Sequence, residues 1–178
     1  MGQEHSPLSD PHVIRLVRPD LRLLDVALAG DDSLAVALGH DVVAGWVSFT
    51  EALRSTRDSL AAAPTGSAWG TRFFVTDDPP ELVGWGGFKG PPDDGVVELG
   101  YEIAESRRGR GLATAATRAM VAEAFADERV SAVIAHTLAE RNASNRVLEK
   151  AGFHHDGQAR ERGEIVWRYR LARPASGR

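Results

Sequence analysis

The residues best suited to chemistry in this chain of 178 residues are concentrated around one strand-forming segment, residues 96–103 (VVELGYEI). Glu98 stands in this segment between Val97 and Leu99. A carboxylate in the middle of an apolar strand is costly unless it has a partner or a task. We therefore identify Glu98 as a candidate general base that takes the proton from an amine, directly or through water. The alternative is a structural carboxylate that pairs with an arginine or lies on an open face of the sheet.

The loop that follows this strand has the composition of an anion-binding site. It contains Arg107, Arg108 and Arg110 together with Gly109 and Gly111, and it leads into a segment with apolar residues at helical spacing. The first N–H groups of a helix have no internal partner and carry partial positive charge. Glycine allows the backbone to approach a bulky ligand, and arginine donates two parallel hydrogen bonds to phosphate. The sequence therefore predicts that this loop binds a pyrophosphate group.

Two familiar phosphate-binding motifs do not fit this loop. A P-loop has Lys followed by Ser or Thr after its second glycine, and this chain has Leu112 and Ala113 there. A Rossmann fingerprint has a third glycine or an alanine where this chain has Thr114. Residues 108–113 (RGRGLA) instead match the pattern Arg/Gln-x-x-Gly-x-Gly/Ala.

Three blocks occur in the same order and at similar spacing as in a known family. They are residues 97–101 (VELGY), 108–113 (RGRGLA) and 144–153 (SNRVLEKAGF). In these blocks the chain resembles the GNAT superfamily of acyl-CoA-dependent N-acetyltransferases, and within it the branch of the ribosomal-protein alanine acetyltransferases. The segment before residue 70 matches only in general layout. The resemblance implies direct transfer of an acetyl group from acetyl-CoA to an amine acceptor, with no metal.

The resemblance also implies which residues bind the cofactor. The main chain of the glycine loop would hold the CoA pyrophosphate, and free backbone groups of the preceding strand would pair with the pantetheine arm. The residues so assigned are Arg108, Gly109, Arg110, Gly111, Leu112, Ala113 and Thr114 for the pyrophosphate, and Tyr101, Glu102 and Ile103 for the arm. Asn142 is expected to take the place of the asparagine that contacts CoA in the family, because that asparagine's own position holds Arg141 here. For Tyr101, core packing is the alternative.

Two further residues are assigned by the same resemblance. Many family members protonate the thiolate with a tyrosine, but this chain has Leu148 at that position. Ser144 matches a serine of the ribosomal-protein branch and is the candidate donor, with helix capping as the alternative. Trp85, which lies among glycines, is expected to line the acceptor pocket rather than only fill the core. The loss of the tyrosine leaves a non-catalytic acyl-CoA-binding module as the alternative function.

The composition excludes several other classes of protein. The absence of cysteine rules out disulfides, cysteine-ligated metals and a covalent cysteine intermediate. The formal net charge of −4 argues against general affinity for nucleic acid. The N-terminus lacks the features of a signal peptide and no apolar run is long enough to span a membrane, so a cytoplasmic protein is expected. His154, His155 and Asp156 lack a third ligand at useful spacing, so no metal site is expected there.

The alternation of apolar segments predicts a single α/β (α+β) domain over residues 12–172, between an N-terminal tail (1–11) and a mobile C-terminal tail (173–178). We expect about seven strands in a mixed, mostly antiparallel sheet with helices on both faces. Three antiparallel strands precede the glycine loop, and the strand after the following helix is parallel to the last of them. The resemblance adds a V-shaped cofactor cleft and an acceptor pocket covered by the first two helices. The oligomeric state stays open, with a homodimer among the alternatives.

Overall fold

The computed structural model describes residues 13–62 and 68–175. These residues form eight strands: β1 (Ile14–Val17), β2 (Asp41–Val42), β3 (Thr71–Asp77), β4 (Pro80–Phe88), β5 (Val96–Ile103), β6 (Ala132–Leu138), β7 (His154–Glu161) and β8 (Glu164–Ala172). They also form five α-helices: α1 (Leu21–Ala29), α2 (Asp31–Leu38), α3 (Thr50–Ala62), α4 (Leu112–Phe125) and α5 (Ala143–Lys150). The predicted N-terminal tail and residues 176–178 lie outside the described residues.

The strands form one open sheet in the order β1-β3-β4-β5-β6-β8-β7, with the short β2 paired to β4. The predicted fold class is confirmed, and β2 is the strand that the sequence analysis did not predict. Strands β3, β4 and β5 are antiparallel neighbours, and β6 runs parallel to β5, as expected. The β5–β6 register covers only residues 96–98 and 132–134. Beyond this short register the two strands separate and leave an opening in the middle of the sheet.

The two faces of the sheet carry two separate hydrophobic cores. One core lies under α4 and includes Leu99 and Met120. The other lies under α1, α2 and α3 and includes Trp46 and Phe73, whose rings meet edge to face at 4.9 Å. Because residues alternate between faces along a strand, Glu98 and Glu102 lie on the face opposite Leu99, toward α1–α3.

Local sequence signals explain where the helices begin. The Asp20 carboxylate accepts a hydrogen bond from the Leu23 N–H at 2.7 Å and starts α1. Asn142 and Asn145 form a reciprocal capping box at the start of α5. Helix α2 lies between Gly30 and Gly39, in a stretch whose sequence indicates a helical region interrupted by loops. Within the described ranges, no helix is long and apolar enough to cross a bilayer.

The first residue of the predicted C-terminal tail is attached to the domain. The guanidinium group of Arg173 donates hydrogen bonds to the backbone carbonyls of Phe125, Asp127 and Val130 at 2.5–2.7 Å. It also lies 5.0 Å from the centre of the Phe125 ring. These contacts fix the end of β8 against the loop that follows α4.

Candidate active site

A cleft of about 760 Å³ opens where β5 and β6 separate, between the glycine loop and the beginning of α5. Ten residues that the sequence assigned to the cofactor line this cleft: Tyr101, Glu102, Ile103, Arg108, Gly109, Gly111, Leu112, Ala113, Thr114 and Asn142. Arg110 is the assigned residue that does not line it. The two catalytic candidates differ, because Ser144 lines the cleft whereas Glu98 lies beside it.

The backbone of the glycine loop has the conformation that anion binding requires. Gly109 and Gly111 have φ angles of 74° and 82°, a region in which side chains other than glycine are strained. Gly111 is the residue before α4, and no side chain caps the free N–H groups at the beginning of this helix. The amides of Leu112, Ala113 and Thr114 are therefore available to a ligand in the cleft.

The three arginines of the loop have different roles, contrary to the expectation that all three face phosphate. Arg107 forms a bidentate ion pair with Glu81 on β4, with N–O distances of 2.6 and 2.8 Å. This pair lowers the pKa of Glu81. The Nε of Arg108 donates to the Ile103 carbonyl at 3.1 Å, and Arg110 is exposed. Arg107 and Arg108 therefore hold the loop on the sheet, and the main-chain amides at the beginning of α4 have no such partner.

Helix α5 forms the opposite wall of the cleft. The Asn142 side chain accepts from the Asn145 N–H at 3.2 Å, so its capping role occupies the oxygen expected to face CoA. The Tyr101 hydroxyl lies 3.4 Å from the Ser144 carbonyl, and burial raises the pKa of Tyr101 to about 12. Tyr101 therefore keeps its proton at neutral pH and directs it to the backbone carbonyl of Ser144.

Two cationic residues of α5 also line the cleft, although the sequence analysis did not assign them to the cofactor site. They are Lys150 and Arg146, and for Arg146 the sequence is compatible with contact to the phosphates and with a solvated helix face. The spacing of the two residues at i and i+4 was visible in the sequence, but the face of α5 that borders the cleft was not.

Glu98 belongs to a four-residue cluster on the acceptor face of the sheet. Its carboxylate pairs with the Lys89 ammonium group and lies 2.9 Å from Nδ1 of His136. Glu161 of β7 reaches the same two partners, at 3.1 Å from Lys89 Nζ and 2.9 Å from His136 Nδ1. Burial opposes the charge on Lys89, but the two carboxylates outweigh it and raise the lysine pKa. The observed partners of Glu98 are thus a lysine and a histidine, whereas the alternative interpretation of Glu98 named an arginine.

His136 connects this cluster to the cleft. Its ring lines the cleft, while Glu98 does not. Nδ1 is held by the carboxylates, and Nε2 is buried with no hydrogen-bond partner among the described residues. Potential ligand atoms of Glu98, His136 and Glu161 lie within 4.8 Å of one another, a spacing compatible with a metal ion. Lys89 already supplies positive charge to both carboxylates, so part of their charge is compensated without a metal.

Trp85 packs against the core under α1–α3, and its expected role in an acceptor pocket stays a prediction. Its indole N–H donates to the Glu102 carboxylate at 3.0 Å, and the backbone N–H of Ser48 donates to the same carboxylate oxygen at 3.2 Å. Trp85 and Glu102 line a cavity of about 420 Å³, which we call the acceptor cavity. Tyr101 and Glu102 line both this cavity and the cleft, so the two spaces meet at these residues.

Comparison with known families agrees with this geometry. The family model described as "Acetyltransferase (GNAT) domain" matches residues 16–154. The chain therefore belongs to the GNAT acetyltransferase family. An uncharacterized N-acetyltransferase of Bacillus subtilis (strain 168), YjdG, is 30% identical over 149 residues, which cover 82% of this chain and 89% of YjdG. The ribosomal-protein branch is not singled out by these matches.

Solved structures share the fold. The microcin C7 self-immunity acetyltransferase MccE, in complex with acetyl-CoA and AMP, has a TM-score of 0.65 at 14% identity over 90% of this chain and 92% of MccE. The acetyltransferase AAC(6')-Ib, in complex with ribostamycin and coenzyme A, has a TM-score of 0.62 at 17% identity over 90% of this chain and 94% of that one. At these identities the likeness concerns the fold.

Proposed function

We propose that this protein transfers an acetyl group from acetyl-CoA to a primary amine in a ternary complex. The observation that carries the proposal is the cleft between β5 and β6, which ends at the uncapped beginning of α4. A pyrophosphate on these amides places the pantetheine arm along the unpaired edge of β5. There the free backbone groups of Tyr101, Glu102 and Ile103 form hydrogen bonds with the arm. The thioester then lies where the cleft meets the acceptor cavity.

In the proposed reaction, the amine nitrogen forms a bond to the thioester carbonyl carbon. The proton of the amine passes to Glu98, and the contact between Glu98 and His136 supplies a route from the cleft. The carbon–sulfur bond then breaks and the electron pair leaves with the CoA sulfur. The Ser144 hydroxyl, on the cleft wall, donates a hydrogen bond to this sulfur. Holding both reactants in one geometry supplies much of the rate.

The finer assignments follow from the sequence resemblance. Residues 12–172 constitute the catalytic domain of this proposal, and the cytoplasm is its expected location. The block at residues 144–153 supports an N-terminal amine of a protein as one acceptor class. Relatives with the same fold are named as complexes with CoA and an aminoglycoside, which supports a small amine as the other class. A homodimer stays a prediction.

The proposal is tested by measuring thiol release from acetyl-CoA with a broad panel of amines. The panel contains peptides with free N-termini, amino acids, polyamines and aminoglycosides, and mass spectrometry identifies the acetylated product. Amine-dependent release supports the proposal. Binding of CoA without turnover of any amine would indicate a non-catalytic acyl-CoA-binding module instead. Stabilisation by NAD or ATP, with none by CoA, would contradict both functions.

A further inference from the structure

A second cavity of about 710 Å³ extends the acceptor cavity away from the cleft, and we call it the distal cavity. The two cavities adjoin, because they share Ser55, Thr56, Thr71, Phe88 and Lys89 as lining residues. The cleft, the acceptor cavity and the distal cavity therefore lie side by side, with Tyr101 and Glu102 shared by the first two. Their combined extent suits an acceptor that is longer than a simple amino acid.

The distal cavity is lined by cations although the whole chain carries a net charge of −4. Arg18, Lys89 and Arg162 border it, and no carboxylate does so among the described residues. Arg18 pairs with Glu123 at 2.7 Å, and Lys89 pairs with the Glu98 cluster. Within residues 13–62 and 68–175, no ion pair involves Arg162. This exposed arginine at the tip of the β7–β8 hairpin therefore offers its guanidinium group to the distal cavity without an ion-pair partner among the described residues.

Apart from its cations, the distal cavity is lined by apolar side chains and by hydroxyl-bearing residues, namely Ser55, Thr56, Ser59 and Thr71. The rings of Trp69 and Phe88 meet edge to face at 5.1 Å and form part of its wall, together with Leu24 and Leu60. Between Trp85, at the acceptor end, and Lys89, at the distal end, an extended backbone covers about 13 Å. An acceptor chain of roughly this length would extend from Glu102 into the distal cavity, which Arg162 also lines.

We propose that the preferred acceptor is an amine that carries an anionic group, carboxylate or phosphate, at its far end. The inference rests on the proposed acetyl transfer and defines its substrate class. The ammonium end meets the Glu102 carboxylate before it loses a proton, the apolar body contacts Phe88, and the anionic end pairs with Arg162. Polycations such as polyamines and aminoglycosides would place a positive charge in this cationic cavity, and they are poor acceptors for that reason.

The test compares four acceptors that differ only in their distal group: ω-aminooctanoate, ω-aminooctanamide, ω-aminooctyl phosphate and diaminooctane. The acid should exceed the amide in kcat/KM by about threefold to fivefold, the range expected of an ion pair with an exposed arginine. Diaminooctane should be the poorest of the four. The ratio of phosphate to carboxylate distinguishes the two anionic classes.

The variant Arg162→Gln should remove the preference for the acid over the amide, so that the ratio of the two kcat/KM values falls to about one. Arg54→Gln is the matched control, because Arg54 is an exposed arginine on α3 that lines neither cavity. The inference is overturned if acid and amide are equivalent in the wild type, or if Arg162→Gln keeps the preference.

The experiments distinguish a failure of this inference from a failure of the proposed acetyl transfer. If no amine of any charge is acetylated, the proposed function fails, and binding of ω-aminooctanoate and ω-aminooctanamide to the CoA complex is then measured by calorimetry. Equal affinity of the two ligands would overturn the inference in that case as well, whereas tighter binding of the acid would support it.

Discussion

The two walls of the candidate active site are built in different ways, one mainly from backbone amides and the other mainly from side chains. On the cofactor wall, the glycine loop and the beginning of α4 present backbone amides, and the conformation of Gly109 and Gly111 decides whether a ligand fits. On the acceptor wall, side chains from distant segments meet, such as Ser48, Trp85 and Glu102. The first wall depends on one short continuous stretch of sequence, whereas the second depends on the tertiary fold. Substitutions should therefore affect cofactor binding and acceptor use separately.

The largest expected effect comes from Gly111→Val on the cofactor wall. A β-branched residue at a φ of 82° is strained, so the loop must change conformation and move its amides away from the phosphate. We expect CoA affinity, measured by calorimetry, to fall by more than about 100-fold. Gly39→Val is the matched control, because Gly39 has a φ of 68° at the end of α2, far from the cleft. Retained tight binding in Gly111→Val would show that the loop does not hold the pyrophosphate.

On the acceptor wall, Glu98→Gln should lower kcat by about 100-fold to 10,000-fold, the usual contribution of a general base, and leave CoA affinity unchanged. If the proton route includes His136, His136→Gln should cause a similar loss, and the double variant should lose little more than either single variant. Glu164→Gln, at an exposed carboxylate on β8, is the control. Unchanged turnover of Glu98→Gln across pH would remove Glu98 from the mechanism.

The sequence was informative where function depends on contiguous residues. The strand, the loop and α4 could be predicted because a strand pattern, two glycines and a helical pattern occur in direct succession, and ten assigned residues do line the cleft. The roles of Arg107 and Arg108 could not be predicted, since their partners are Glu81 and a backbone carbonyl set by strand pairing. For the same reason the partners of Glu98 were unknown.

A smaller effect is expected where the glycine loop is attached to the sheet. The Arg107–Glu81 pair lowers the pKa of Glu81, so the folded protein keeps this carboxylate ionised at lower pH than the unfolded chain does. The contribution of this ion pair to the free energy of unfolding is complete above pH 4.5, the ordinary pKa of Glu81. The contribution is lost as the pH falls through the lowered pKa. Glu81→Gln should therefore reduce the free energy of unfolding by about 1–3 kcal/mol at pH 7.

Denaturant unfolding of Glu81→Gln and the wild type at several pH values checks this expectation. The difference between the two proteins should shrink in acid, because Glu81 of the wild type is then protonated and Arg107 has lost its partner in both. A difference that stays constant between neutral pH and pH values well below 4.5 would mean that the pair does not stabilise the fold.

Trp85→Phe probes the acceptor wall more gently. The ring is kept, but the N–H that holds the Glu102 carboxylate at 3.0 Å is lost. One hydrogen bond to a charged group contributes about 1.5–3 kcal/mol at most, and Ser48 still holds Glu102. We expect the KM for the amine to rise about threefold to tenfold with CoA affinity unchanged. A rise in the CoA dissociation constant instead would place Trp85 on the cofactor wall.

The smallest effect should come from Arg110→Gln, and it tests the division between the walls most sharply. Arg110 belongs to the RGRGLA motif, yet it is exposed and does not line the cleft. Because a screened surface charge contributes little, the CoA affinity of this variant should change by less than about twofold. Arg108→Gln should weaken binding more, because Arg108 lines the cleft and its Nε fixes the Ile103 carbonyl at 3.1 Å. Equal losses from both substitutions would mean that charge near the loop, rather than backbone geometry, determines cofactor affinity. The cofactor wall would then follow the same side-chain rule as the acceptor wall.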